Sequence, residues 1–170
     1  PEAIQRFDQG VERLREGSYT GAQSALTEAV RLSPDFIQAH LRLAEAKAEL
    51  DDGLGAQGAL LRVNALLPAN ARLPREDQLR LDAVRSFVLR DHERAIDAYR
   101  QLADREPGIA SRWLDVGRAE DAAGRPVAAM EHFELAVKLD GQYAAAHQRL
   151  GVLQSQGGQG PAAIAPLGLH

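Results

Sequence analysis

Apolar residues recur along the chain at fixed offsets. Ala22, Leu26 and Ala29 lead to Pro34, and Ala56, Leu60 and Val63 lead to Pro68, 34 residues further on. Ala95, Tyr99 and Leu102 then lead to Pro107, and Ala129, Phe133 and Ala136 lead to the turn Asp140-Gly141. Steps of four and three residues place each set on one face of a helix. A period of about 34 residues predicts stacked helical hairpins that bury a continuous seam between neighbours. Function is therefore to be sought on a surface that the stack builds.

The clearest unit is the one around Trp113. Trp113, Val116, Gly117 and Glu120 fall on one helical face, and Gly124 ends that helix. Arg125-Pro126 opens the next helix, because proline is tolerated in a first turn. That helix presents Ala129, Phe133 and Ala136 inward. Gly117 and Ala129 let the two backbones approach, and Trp113 and Phe133 fill the space beside them.

This unit resembles a tetratricopeptide repeat. The family pattern runs Trp, Leu-Gly, Tyr, Ala, Phe and a closing Pro. Here it reads Trp113, Val116-Gly117, Glu120, Ala129 and Phe133, with Asp140-Gly141 in place of the proline. His40, Leu43-Ala44, Lys47, Ala56, Leu60 and Pro68 form a second match. His147, Leu150-Gly151, Gln154, Ala163 and Leu167 form the last. The resemblance spans nearly the whole chain. It implies an all-α, right-handed superhelical solenoid of antiparallel helical hairpins, with four units and a partial fifth. The expected organisation is one repeat domain over 1–170, with units at about 3–35, 36–69, 70–109, 110–143 and 144–170.

Two units depart from the pattern. In the first, Gly10, Gly17, Tyr19, Ala22 and Leu26 fit, but Arg6, Gln9 and Arg13 stand where the family faces a partner helix. Ile4, Phe7, Val11 and Leu14 make a displaced apolar face, as a shifted loop or a terminal cap would require. In the third, Pro68 and Pro107 are 39 residues apart. The excess is expected in Ala69 to Arg75, with Leu73-Pro74 lengthening the connection before a helix near Glu76-Asp77, whose acids suit a helix N-terminus. Near the end, Pro161 suits a helix start but Pro166 interrupts it, leaving Leu167 and Leu169 frayed or loosely packed.

Composition removes several function classes. Strand-forming clusters are missing, and no cysteine is present for disulfides or thiolate metal sites. The net charge is −4. It is evenly spread, with 11 Lys/Arg against 13 Asp/Glu in residues 1–85 and 9 against 11 in the remainder. No basic stripe emerges for nucleic acid. No apolar run approaches the about 20 residues of a membrane span. The chain opens at Pro1 and stops within a repeat, so it reads as a piece of a longer protein. The compartment is not set by the sequence, with cytoplasm favoured over periplasm.

Candidate chemistry is sparse. His40 and His147 occupy the family's Trp slot, three hairpin steps apart, and read as seam residues rather than metal ligands. His92, in Asp91-His92-Glu93, reads as a charged turn. Gly157-Gly158-Gln159 matches the tripeptide that release factors insert into the ribosome, but it falls where earlier units place an inter-helix turn. No phosphate-binding loop or nucleophile elbow is found. The expectation is a non-enzyme with no catalytic, cofactor or metal residues.

The resemblance instead implies a groove lined by the first helix of each hairpin, open to an extended peptide or a partner helix. One residue past the Trp and Gly slots stand Phe7 and Val11, Leu41 and Glu45, Arg80 and Val84, Leu114 and Arg118, Gln148 and Val152. Of these, Leu41, Glu45, Arg80, Val84, Leu114, Arg118 and Gln148 are the expected contact residues. Arg80 and Arg118 are placed to fork onto a partner carboxylate. The same two arginines also read as solvated surface residues, paired with Glu45 or Asp121. The Lys and Asn that clamp a terminal carboxylate in chaperone-binding relatives are absent from these slots.

The expected role is a protein-interaction scaffold or adaptor. A sensory or regulatory module of a bacterial signalling kinase or winged-helix regulator is the alternative, as is a periplasmic scaffold of envelope or polysaccharide export. Self-association through exposed terminal hairpins is a further expected mode of contact.

Overall fold

The computed structural model describes residues 1–158. The expectations placed on Gln159, Pro161, Ala163, Pro166, Leu167 and Leu169 lie outside the described residues. Those described form nine helices and no strand. They are α1 (Glu2–Glu16), α2 (Tyr19–Leu32), α3 (Ile37–Glu49), α4 (Gly53–Leu66), α5 (Arg75–Val88), α6 (His92–Arg105), α7 (Ala110–Ala122), α8 (Pro126–Leu139) and α9 (Ala144–Gly158). The all-α hairpin architecture is as the periodicity predicts. No helix among the described residues is long and apolar enough to cross a membrane.

The period is visible in the backbone itself. Gly17, Asp51, Arg90 and Gly124 all have a left-handed φ, between 59° and 76°. Each is followed by an N–H that reaches back into the preceding helix. Ser18 donates to the Arg13 carbonyl at 2.8 Å, Asp52 to Lys47 at 2.9 Å, Asp91 to Ser86 at 2.8 Å and Arg125 to Glu120 at 2.9 Å. These closures satisfy helix-end carbonyls and reverse the chain into the second helix of the hairpin. Pro126 then takes the first position of α8, where no donor is needed.

The described residues fall into two compact units, Pro1–Leu102 and a second that begins at Ala103. In the first, α1 packs on α2 and α3 on α4, while α3 also touches α1, α2 and α5. Leu14, Ala22, Leu26, Leu43 and Ala46 make one buried cluster, with Phe7, Tyr19 and Val30 at its edge. Leu41, Ala44, Leu60, Val63, Leu81 and Val84 belong to a second. In the other unit, α7 packs on α8 and α8 on α9. There Phe133 lies at the centre of a cluster with Leu114, Ala129, Ala136, Tyr143 and Leu150.

Small residues set the spacing within hairpins. A Cβ at Gly10 would overlap the Leu26 side chain, and one at Gly117 would overlap the Phe133 ring. Arg6, Gln9 and Arg13 face Gly21, Ser24 and Glu28 of α2 across an open polar groove. The longer third connection is located after α4, where α5 begins at Arg75 with Glu76 and Asp77 in its first turn. Gly157 and Gly158 belong to the last turn of α9. The inter-helix turn expected at those glycines is thus not formed by them.

Candidate functional site

The slots expected to line a groove are deeply placed in the first unit. Leu41 is 4% exposed, Glu45 3%, Arg80 9% and Val84 1%. Leu41 and Val84 belong to the same core cluster, because α3 is covered by α4 behind and α5 alongside. Glu45 accepts a hydrogen bond from the Tyr99 hydroxyl at 3.3 Å and another from Arg42 Nη1 at 3.1 Å. A carboxylate is tolerated at that depth because it is paired. The Phe87 and Tyr99 rings meet in a T-shaped arrangement, with centroids 6.4 Å apart.

Between α1, α3 and α5 the first unit contains a cavity of about 110 Å³. Phe7, Ile37, Leu41, Val63, Leu73 and Leu81 form its apolar wall, and Gln38, Arg42, Glu76, Asp77 and Arg80 its polar part. Phe7 is held by the Phe36 ring, with centroids 4.9 Å apart. Leu73 arrives from the lengthened connection before α5. Nη1 of Arg80 is buried and has no hydrogen-bond partner among the described residues. Leu41 and Arg80 are thus brought to one cavity.

The other expected residues belong to the second unit. Leu114 is 2% exposed and part of the Phe133 cluster. Arg118 is 4% exposed, and its Nε and Nη2 donate to Asp115 Oδ1 at 3.3 and 3.0 Å. Its partner here is three residues back on α7 rather than Asp121. Gln148 is exposed on α9.

The family's Trp slot has a second use. His40 Nε2 lies 2.8 Å from the Pro34 carbonyl, Trp113 Nε1 2.9 Å from that of Pro107, and His147 Nε2 2.8 Å from that of Gly141. A carbonyl only accepts, so each ring nitrogen carries the hydrogen. Trp113 also stacks on His132, with ring planes 4° apart, and His132 Nδ1 contacts Glu120 Oε1. Sequence reasoning missed His132. The available signal was Glu120, a carboxylate on the seam face of α7, which requires a polar partner once buried. Among the described residues, no group of three or more His, Asp or Glu side chains could hold a metal ion.

Two further surfaces flank these features. Leu61, 68% exposed, and Leu89, 60% exposed, border a cavity of about 230 Å³ where Arg85 donates to Asn64 at 3.0 Å. At the polar groove between α1 and α2, two hydrogen bonds from Arg31 hold the Glu28 carboxyl below its ordinary range, and the same contact raises the Arg31 guanidinium.

No curated protein matches the sequence. Among solved structures, the chain is similar to the crystal structure of MamA, at 19% identity over 88% of this chain and 84% of that one, with a TM-score of 0.46. It is also similar to MamA 41-end from Desulfovibrio magneticus RS-1, at 22% identity over 91% of this chain and 85% of that one, again with a TM-score of 0.46. The model of the tetratricopeptide repeat matches residues 7–71 and 87–144. Those segments include the left-handed closures and the small-residue contacts described above. The chain belongs to the tetratricopeptide repeat family, whose repeats serve in general as protein-interaction scaffolds.

Proposed function

We propose that the chain is a non-catalytic scaffold that receives an extended peptide or a helix of a partner protein on the face built by its first helices. The observation that carries this reading is the cavity in the first unit. Its wall is drawn mainly from α1, α3 and α5, and it joins an apolar surface to a buried guanidinium. Such a site orients a ligand, and its lining offers no serine, cysteine, lysine or histidine nucleophile. Leu41, Glu45, Arg80 and Val84 serve the reading in the first unit, as wall, internal brace, polar contact and support. Leu114, Arg118 and Gln148 are the equivalent positions in the second.

The test uses a partner captured with the intact chain and then purified. Arg80→Ala is expected to weaken that partner at least about tenfold, with far-UV circular dichroism unchanged. Unchanged affinity would move the binding surface off the first helices.

A further inference from the structure

We infer that the cavity between α1, α3 and α5 is a subsite for one aspartate or glutamate side chain of a partner, set beside an aliphatic residue. The inference rests on the proposed peptide-binding face and makes it specific. Arg80 supplies the first reason. It is 9% exposed, and its Nη1 is buried without an acceptor. A buried guanidinium left short of an acceptor is costly, and a carboxylate entering the cavity beside Arg80 would offset its charge. Arg42, which also borders the cavity, already donates to Glu45. Recognition of the anion therefore falls to Arg80.

The wall supplies the second reason. Phe7, Ile37, Leu41 and Leu73 offer an apolar surface next to the guanidinium. An aliphatic neighbour of the acid would cover them and keep water from the ion pair, which strengthens it. The volume of about 110 Å³ limits what can enter to side-chain size, well below a nucleotide.

Charge at the cavity supplies the third. Glu76 and Asp77 stand one turn before Arg80 on α5 and also border it. Their charge repels a run of acids and disfavours a dianionic phosphoryl group. The preferred segment is an isolated acid in aliphatic surroundings. This differs from a two-arginine clamp, because Arg118 already donates twice to Asp115.

The experiment selects random dodecapeptides, displayed with their carboxyl ends fused to the carrier, against the full chain and against Arg80→Gln. The wild-type pool is expected to be enriched in Asp or Glu directly beside Leu, Ile, Val or Phe, and the variant pool to lose that enrichment. A peptide synthesised from the wild-type pool should bind at least about tenfold less tightly to Arg80→Gln, or when its own acid is replaced by the amide. The two losses should not add when combined, as expected for a direct pair. Peptides that shift the amide NMR signals of Leu41 and Leu73 without any acidic preference would overturn the carboxylate subsite and leave the peptide-binding face standing. Peptides that perturb none of α1, α3 and α5, or a library yielding no binder, would count against both. If Arg80→Gln does not fold, Arg80→Lys replaces it, and the composition of the wild-type pool decides by itself.

Discussion

His40, Trp113 and His147 differ in size and aromatic character, yet each ring N–H points to the carbonyl six residues upstream. That bond ties the entry loop of a hairpin to its first helix, so the slot selects a donor as well as a flat ring. The third unit has Leu79 there, which can only pack, and its entry loop is the irregular one. His40→Phe should keep the ring and lose the bond, destabilising the chain by about 1 kcal/mol in urea titrations followed by circular dichroism. His147→Phe should cost less, because His147 is exposed and water can replace the lost donor. No loss at His40→Phe would show that the bond contributes nothing beyond packing. At this scale, sequence reasoning placed His40 and His147 in the repeat slot that Trp113 shares. It missed the bond, since a contact to a backbone carbonyl leaves no trace in residue types.

The helix ends obey one rule with two kinds of residue. Gly17 and Gly124 adopt the left-handed conformation without steric penalty, whereas Asp51 and Arg90 adopt it with a Cβ in place. Arg90 is exposed and loses little packing if truncated. Arg90→Gly should therefore stabilise the chain by about 0.5–1 kcal/mol, read as a higher Tm. A lower Tm would mean that the Arg90 side chain contributes more than its backbone strain costs. The spacing of these four residues, 34, 39 and 34, reproduces the register read from Pro34, Pro68 and Pro107. Hairpins were legible because Ala22, Ala56, Ala95 and Ala129 must be small wherever two helices touch, and all four are at most 1% exposed. The depth of the groove slots was not legible. Periodicity marks which face a residue takes, but not how closely the neighbouring helix covers it, and so Glu45 and Arg118 proved to be buried and paired.

Across the molecule, charge is mixed and mildly acidic, at −4 overall. Such a surface lacks the cationic field that condenses on phosphates, so a duplex oligonucleotide at low ionic strength should show no saturable binding in an electrophoretic shift assay. A shift that vanishes with added salt would contradict this reading. The scaffold role was legible from the repeat pattern alone, whereas the Arg80 cavity was not. It needs Phe7, Leu41 and Leu73, from three different segments, to meet beside one guanidinium. Trp113 is the chain's single tryptophan, and it lies flat on His132 in the second unit. The first unit, which holds the cavity, has none. Indole emission therefore comes from one known hairpin and needs no added dye. An Arg80 variant that releases its peptide while that emission keeps its colour and intensity has left α7 and α8 intact. The chain thus carries a spectroscopic witness of its own, stationed apart in sequence from the site under test.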